Sequence, residues 1–286
     1  MRETTLAFGP DNGLIGSVSL PVTPPEAYSR IGVLLFNAGI VHRVGPHRIN
    51  VYIARELAAR GFPSIRFDLA GHGDSARLTG AYSYEAQAVI DLRAAMDALA
   101  AAANVTRFII FGYCSGGYHG YTTALEDERV AGLVIYDAFR YPTIKTHLYH
   151  YLRRLQASQL LPRLMRVVRN AFTKPVDSKQ TQTPELGRIN FYPAKADVGA
   201  GLRRLIDRGV SVRMIYSGGY LRQYNYHSQF RDTFAAFGIA DRVSATFLPE
   251  SDHLATSLTA HNTLLRLIVT QTSEMAGRTK APERPL

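Results

Sequence analysis

The stretch IIFGYCSGGYHG, residues 109–120, follows an apolar run with a cysteine and a serine set between glycines. This pattern is typical of a strand that turns sharply into a helix and carries a nucleophile at the turn. Such a turn needs small residues two positions before and after the nucleophile, because neighbouring backbone approaches closely there. Cys114 has Gly112 and Gly116 at those positions, whereas Ser115 would have a tyrosine at the first of them. The pattern predicts Cys114 as the nucleophile, the alternative being a buried structural cysteine.

Strand-like and helix-like segments alternate along most of the chain. Segments of helical period lie at 45–61, opening with Pro46, and at 83–103, with Ser83 as the expected N-cap. This alternation predicts an α/β fold with a mostly parallel central sheet and flanking helices. The first 22 residues, with a turn at PDNG, are expected to form an antiparallel hairpin at the sheet edge. The β-rich apolar runs lie at 30–36, 63–69, 105–111, 129–136, 210–216 and 243–249.

The alternation breaks between about residues 138 and 200, where helical patterns replace strands. One helical face carries Leu148, Leu152 and Leu155. Pro162 can start a second helix, whose apolar stripe is formed by Leu164, Val167 and Val168. We expect these stripes to pack on the sheet domain rather than on a membrane. The predicted organisation is a core of residues 1–137 and 201–275, a basic helical cap at 138–200 and a disordered tail at 276–286.

The positive charge is concentrated in this predicted cap. The formal net charge is +10, and residues 138–176 contain no Asp or Glu but eight basic residues. Two interpretations stay open, a solvated Arg-rich helical face and a docking surface for something acidic. The basic residues are Arg140, Lys145, Arg153, Arg154, Arg163, Arg166, Arg169 and Lys174.

The composition is not that of a disordered, fibrous or disulfide-stabilised protein. A chain of 286 residues with 46% hydrophobic content can bury a sizeable core, and its single cysteine cannot form an internal disulfide. The N-terminus lacks an apolar signal-peptide region, and no window of 18 uninterrupted apolar residues occurs, so we expect a cytoplasmic protein without a membrane span. We expect no cofactor, no metal and no nucleic-acid partner. His42 and His47 are five residues apart and are more suited to solvent or substrate anions than to zinc.

A thiol nucleophile needs a base and an oxyanion site. His253, in the FLPESDHLATS segment after the last predicted strand, is the candidate base. The backbone N–H of Ser115 follows the nucleophile and is the first oxyanion donor. The second donor is expected in the loop NAGIVHRVGPHR, where Ala38 and Gly39 are the candidates.

The acid that would orient this histidine is not at its usual place, because residues 211–230 contain no carboxylate. Asp137 ends the strand that follows the nucleophile strand and is the first candidate. Asp252 is the second, although side chains adjacent in sequence rarely orient each other in a loop. A third possibility is that no acid is used, since a Cys/His pair supplies thiolate without a strong orienting carboxylate.

These segments resemble the α/β-hydrolase superfamily. FDLAGHGDS, residues 67–75, is similar to the family's D-x-x-G-H-G-x-S turn, and GYCSGG is similar to the elbow of dienelactone hydrolases, which also use cysteine. HRVGPHR, DLAGHGDS and YHYLRRLQASQLLPRLMR resemble exosortase-associated hydrolases and related enzymes of biosynthetic gene clusters. The resemblance implies an α/β-hydrolase fold with a helical cap insertion. Where those relatives carry an aspartate after the penultimate strand, this chain has Gly219 and Tyr220, which favours Asp137 as the acid.

Three functions are consistent with these residues. The first is hydrolysis of an ester or thioester through an acyl-cysteine. The second is transfer of an acyl or aminoacyl group between thioesters and another acceptor, with the basic segment docking an acidic carrier protein or coenzyme A phosphates. The third is a non-catalytic binding module, which the intact Cys114, His253 and glycines disfavour. The expected partner is a small-molecule acyl substrate, with the carrier protein or coenzyme A ester as a further candidate.

Overall fold

The computed structural model describes residues 1–22, 30–36, 39–77, 82–157 and 193–278. Within these ranges an eight-stranded sheet runs in the order β1-β2-β4-β3-β5-β6-β7-β8. The strands are β1 (Arg2–Phe8), β2 (Leu14–Leu20), β3 (Ile31–Phe36), β4 (Ser64–Phe67), β5 (Arg107–Tyr113), β6 (Val130–Tyr136), β7 (Ser211–Ser217) and β8 (Ser244–Leu248). The α-helices are α1 (Ile49–Ala59), α2 (Tyr84–Ala103), α3 (Ser115–Glu126), α4 (Ile144–Ala157), α5 (Lys195–Asp207), α6 (Gln229–Phe234) and α7 (Leu258–Arg278).

The mostly parallel sheet predicted from the alternation is confirmed. Strands β3 to β8 pair in parallel, while β2 pairs antiparallel with both β1 and β4. The expected hairpin of the first 22 residues is also confirmed, with β1 at the sheet edge. Because parallel strands end on one edge of the sheet, the C-terminal ends of β5, β6 and β7 lie side by side there.

The two faces of the sheet pack against different helices. Leu34 and Ile65 belong to a buried cluster with residues of α2 and α5, while Val33 and Leu35 belong to a second cluster with residues of α1 and α7. Successive residues of a strand point to opposite faces. A strand covered on both faces therefore reads as a continuous apolar run, as IGVLLF does.

Helix boundaries follow local signals, with one correction. The Ser83 hydroxyl accepts a hydrogen bond from the Ala86 N–H at 3.3 Å, which confirms it as the N-cap of α2. Pro46 does not open α1, because His47 and Arg48 have φ of 49° and 62°. These left-handed residues form a separate 3-10 turn, and the α-helix begins at Ile49.

Helix α4 follows β6 and belongs to the segment predicted as the cap. Thr146 is buried, but Leu148 and Leu152 are 54% and 42% exposed, so the packing expected of this apolar stripe is not found for these two residues. The helix is held to the body by other contacts. The Lys145 ammonium lies 2.8 Å from the Asp232 carboxylate. The Leu155 side chain and the second helix expected from Pro162, with Leu164, Val167 and Val168, lie outside the described residues.

None of the helices within the described ranges combines the length and the apolar character needed to cross a membrane.

Candidate active site

Cys114 lies at a sharp turn between β5 and α3. Its backbone has φ 52° and ψ −116°, a conformation that is strained for a residue with a side chain. The glycines around it are required by packing. A Cβ on Gly112 would lie 2.5 Å from the carbonyl oxygen of Gly116, and a Cβ on Gly117 would lie 2.8 Å from the Ala138 Cβ. The turn thus has the geometry of a nucleophile elbow, with the thiol at its apex.

Three predicted residues meet at the C-terminal edge of the sheet. Cys114 follows β5, Asp137 follows β6, and His253 lies in the loop after β8. The His253 Nδ1 lies 2.8 Å from Asp137 Oδ2. The His253 ring lies close enough to the Cys114 sulfur to lower the pKa of the thiol through hydrogen bonding and charge. Since Nδ1 faces the carboxylate, the thiol faces Nε2, which places the imidazole between the two groups.

The Asp137 carboxylate is fully buried and held from β7 as well as by the histidine. Ser217, the last residue of β7, donates its N–H to Oδ1 at 2.7 Å and its hydroxyl to Oδ2 at 2.5 Å. The backbone of Asp137 has φ 53°, which turns the chain sharply at the strand end. The last residue of β7 therefore binds a carboxylate that comes from the end of the neighbouring strand, β6.

Asp252, the second candidate acid, forms its hydrogen bonds within the loop that follows His253. Its carboxylate accepts the N–H groups of Leu254 and Thr256, at 2.8 Å to Oδ1 and 3.1 Å to Oδ2. It also accepts the Thr256 hydroxyl at 3.1 Å. These bonds brace the loop after His253 from within, whereas the His253 ring contacts Asp137.

Electrostatics in the site favour a thiolate beside an imidazolium. Burial raises the pKa of the Cys114 thiol, but the hydrogen bond and charge of His253, together with the Arg140 charge, outweigh it and leave the pKa lowered. Burial lowers the pKa of His253, but its bonds to Asp137 and Cys114 dominate and raise the pKa to about 9. Both shifts arise from neighbouring opposite charges: His253 and Arg140 stabilise the thiolate, and Asp137 and Cys114 stabilise the imidazolium.

Aromatic side chains hold the histidine loop. The hydroxyl of Tyr113 donates to the His253 carbonyl, and the hydroxyl of Tyr136 donates to the Asp252 carbonyl at 3.1 Å. The ring of Tyr220 lies edge-on to the imidazole with centroids 4.7 Å apart. Tyr113 and Tyr136 end adjacent strands, so the sheet itself positions the loop that carries the base.

Arg140 does not lie on a solvated helical face. It is 8% exposed, and its Cζ lies 3.5 Å from the centroid of the Tyr220 ring. Its Nε donates to Gln223 Oε1 at 2.9 Å, and its Nη1 donates to the Asp137 carbonyl. One of the eight basic residues of the charged segment therefore belongs to the candidate site, where its charge stabilises a nearby anion.

The predicted oxyanion donors differ in the groups that their N–H contacts. The Ser115 N–H lies near the Cys114 sulfur, where it helps to lower the pKa of the thiol. The Gly39 N–H donates to the Ser115 hydroxyl at 2.8 Å. The expected second donor is thus hydrogen-bonded to a side chain of the protein. Ala38 lies outside the described residues.

A cluster of possible metal ligands lies in the loops before α1 and after β4. The ligand atoms of His42, Asp68 and Asp74 are within 4.8 Å of one another. The Arg43 Nη1 lies among them, 2.5 Å from Asp68 Oδ2 and 2.6 Å from Asp74 Oδ2. A guanidinium thus takes the place that a cation would occupy, and the cluster reads as an ion-pair network that joins two loops.

Several residues of the site gave little signal in the sequence. The contacts that bring three of them into the site join positions far apart along the chain. These residues are Ser217, Arg140 and Tyr136, which contact Asp137, Gln223 and Asp252. The glycines of SGGY were a usable signal. A Cβ on Gly219 would lie 2.6 Å from the His253 backbone nitrogen, and a Cβ on Gly218 would lie 2.0 Å from the Pro249 carbonyl oxygen. This glycine pair marks the point where the histidine loop packs against the end of β7.

Comparison with known proteins agrees with this architecture. A family described as alpha/beta hydrolase fold matches residues 32–184. No curated protein matches the sequence. Among solved structures, alpha/beta hydrolase GrgF from Penicillium is similar with TM-score 0.56 and 15% identity, covering 99% of this chain and 100% of that one. The predicted α/β-hydrolase fold is thereby confirmed.

Two bacterial structures show the same similarity. An α/β serine hydrolase without lid from Xanthomonas campestris has TM-score 0.53 and 14% identity, covering 99% of this chain and 96% of that one. An alpha-beta serine hydrolase homologue from Coxiella burnetii has TM-score 0.54 and 14% identity, covering 94% of this chain and 96% of that one. At these identities the similarity establishes the fold.

Proposed function

The chain belongs to the alpha/beta hydrolase fold family, and we propose that it hydrolyses an activated acyl group, an ester or thioester, through an acyl-cysteine intermediate. Cys114 is the nucleophile, His253 the base and Asp137 the acid that orients it. The observation that carries the proposal is the continuous contact from thiol to imidazole to buried carboxylate, with 2.8 Å between His253 Nδ1 and Asp137 Oδ2. A structural cysteine would need neither partner.

Acylation follows from this geometry. The Cys114 thiolate attacks the carbonyl carbon, forming a C–S bond while the carbonyl π electrons move to oxygen. The N–H of Ser115, the residue that follows the nucleophile at the start of α3, stabilises that oxyanion. The tetrahedral intermediate collapses, the bond to the leaving alcohol or thiol breaks, and the leaving group takes the proton from His253 Nε2.

Deacylation uses the same groups in reverse. Water attacks the acyl-cysteine carbonyl and gives a proton to His253 Nε2. The second tetrahedral intermediate expels the thiolate as the C–S bond breaks, which releases the carboxylic acid. The thiolate and the imidazolium are then restored. Asp137 stays ionised throughout and stabilises the charged imidazole without taking its proton.

Acyl transfer is the alternative, and the exposed surface of α4 favours it. An amine, hydroxyl or second thiol would then replace water in the second step. Ile144, Leu148, Tyr151 and Leu152 are exposed apolar side chains on this helix, and Arg153 is exposed beside them. Apolar and basic groups together suit the surface of an acidic carrier protein. The Arg154 side chain and Arg163, Arg166, Arg169 and Lys174 lie outside the described residues.

The central experiment is intact-protein mass spectrometry after incubation with a panel of p-nitrophenyl esters and acyl thioesters. We expect an adduct of acyl mass in the wild-type protein, mapped by proteolysis to Cys114, and none in Cys114→Ala. An adduct mapped to Ser115, or undiminished turnover by Cys114→Ala, would refute the proposal. Adding amines or thiols then separates hydrolysis from transfer, because only a transferase forms the aminolysis or exchange product faster than the acid.

A second experiment tests the carrier. Charge reversal of Arg153, Arg154 and Arg166 together should raise the KM for a carrier-bound acyl group and weaken its salt dependence. Turnover of a small neutral ester is the internal control and should not change. Equal effects on both substrates would indicate a structural role for these residues.

A further inference from the structure

The oxyanion site contains an unexpected contact. In the family arrangement an N–H from the loop after β3 points at the substrate oxygen. Here the Gly39 N–H points instead at the Ser115 hydroxyl, with a nitrogen–oxygen distance of 2.8 Å. A short hydrogen bond of this kind occupies the only donor that the Gly39 backbone has.

The same contact orients the hydroxyl of Ser115. A hydroxyl has one hydrogen to donate and two lone pairs to accept with. Gly39 uses one lone pair, which leaves the O–H for another acceptor. Among the residues that the structure describes, none accepts a hydrogen bond from the Ser115 hydroxyl, and the side chain is only partly buried. The hydrogen is therefore available to a bound molecule.

Ser115 also lies directly against the nucleophile. It is the first residue of α3 and directly follows Cys114, so its N–H lies at the same sharp turn as the thiol. A carbonyl attacked by that sulfur places its oxygen within about 3 Å of the donors nearest to the sulfur. The N–H and O–H of one residue thus border the position where negative charge develops.

We propose that the Ser115 hydroxyl is the second oxyanion donor, and that the Gly39 N–H positions this hydroxyl instead of contacting the substrate. The inference rests on the proposed acyl-cysteine chemistry. The chain of donors runs from the Gly39 N–H to the Ser115 oxygen and from the Ser115 O–H to the oxyanion. Each bond in such a chain polarises the next, which strengthens the final donor.

Isosteric variants provide the test. Ser115→Thr keeps a hydroxyl, and Ser115→Val has nearly the same shape as threonine but no hydroxyl. Ser115→Ala removes the hydroxyl without adding any atoms. The first measurement is the acylation rate with p-nitrophenyl acetate. We expect Ser115→Ala and Ser115→Val to lose about 100-fold, the size typical of one lost oxyanion donor, and Ser115→Thr to retain most of the rate.

Two further measurements separate donation from a structural role. Alkylation by iodoacetamide forms no oxyanion, so all three variants should react with it at the wild-type rate if the elbow is intact. The thiono analogue of the ester carries C=S in place of C=O, and sulfur is a weak hydrogen-bond acceptor. Loss of a donor should therefore slow the ester far more than its thiono analogue.

Each other outcome overturns the inference in a distinct way. Undiminished acylation of Ser115→Ala would assign the second donor to the Gly39 N–H. An equal loss for the ester and its thiono analogue, or slowed alkylation, would show that the hydroxyl only supports the loop. Failure of the wild-type protein to form any acyl adduct, while Cys114 alkylates normally, would refute the proposed function and this inference with it.

Discussion

Ser217 donates both its N–H and its hydroxyl to the Asp137 carboxylate, at 2.7 Å and 2.5 Å, from the end of the neighbouring strand. With the His253 ring as the third donor, this buried carboxylate is well satisfied. These hydrogen bonds compensate the carboxylate for the loss of water, and one of them joins it to the His253 ring. The end of β7 thus stabilises a carboxylate that belongs to the end of β6.

Substitution of each aspartate in turn should show which of the two orients the histidine. Asp137→Asn should lower kcat/KM by about 10 to 1,000-fold, because the amide no longer stabilises the charged imidazole or fixes its tautomer. Asp252→Asn is the control and should do much less, since within the described residues its carboxylate is hydrogen-bonded to its own loop, at Leu254 and Thr256. Steady-state kinetics with one ester suffices, and the reverse order of effects would assign the acid to Asp252.

Removal of the serine hydroxyl tests how the carboxylate is held. Ser217→Ala keeps the N–H bond to Asp137 but deletes the hydroxyl bond to a buried charge, so it should cost about 1 to 3 kcal/mol of unfolding free energy. Urea denaturation measures this loss. Ser217→Thr keeps the hydroxyl and is the matched comparison. A destabilisation equally large in the threonine variant would indicate packing instead of hydrogen bonding.

The thiol should alkylate as a thiolate at unusually low pH. The pKa of Cys114 is lowered, so the midpoint of its iodoacetamide rate profile should lie below that of a free cysteine measured under the same conditions. His253→Gln removes the stabilising cation while the burial remains, so the midpoint should then rise above that value. A wild-type midpoint at or above the free-cysteine value would contradict the ion pair.

The alkaline limb of activity should depend on the leaving group. The pKa of His253 is raised to about 9, so the imidazole is protonated below that pH and loses its proton as the pH rises through it. An alkoxide leaving group needs that proton, whereas a thiolate leaves readily without it. Acylation by an alkyl ester should therefore fall above about pH 9, while acylation by the matching thioester should fall little. Parallel profiles would argue against His253 as the proton donor.

An exposed glycine should prove necessary for the histidine loop. Gly219→Ala would place a Cβ 2.6 Å from the His253 nitrogen, so the loop must shift and acylation should slow by at least about tenfold. Gly277→Ala is the control, because its Cβ would meet nothing within 4 Å and it lies in α7, where alanine is favoured. Comparable losses in both variants would indicate a general effect of substitution.

Local patterns were sufficient to predict most of the fold and part of the site. The strand, the helix and the glycines around Cys114 are consecutive in the chain, and their spacing follows from backbone geometry alone. The Ser83 cap and the edge hairpin are equally local. Asp137 could be proposed because residues 211–230 lack a carboxylate, which is also visible in the sequence.

Contacts across strands were decided by the tertiary structure. Ser217 and Asp137 are 80 residues apart, and their bonds exist because β6 and β7 are neighbours in the sheet. The Gly39 contact with Ser115 and the burial of Arg140 against Tyr220 likewise depend on how loops meet above the strand ends. A sequence pattern reports the period of one element, whereas a hydrogen bond between elements depends on strand order and side-chain direction. The sequence alone therefore predicted the sharp turn at Cys114, and the folded chain determined which groups surround this residue.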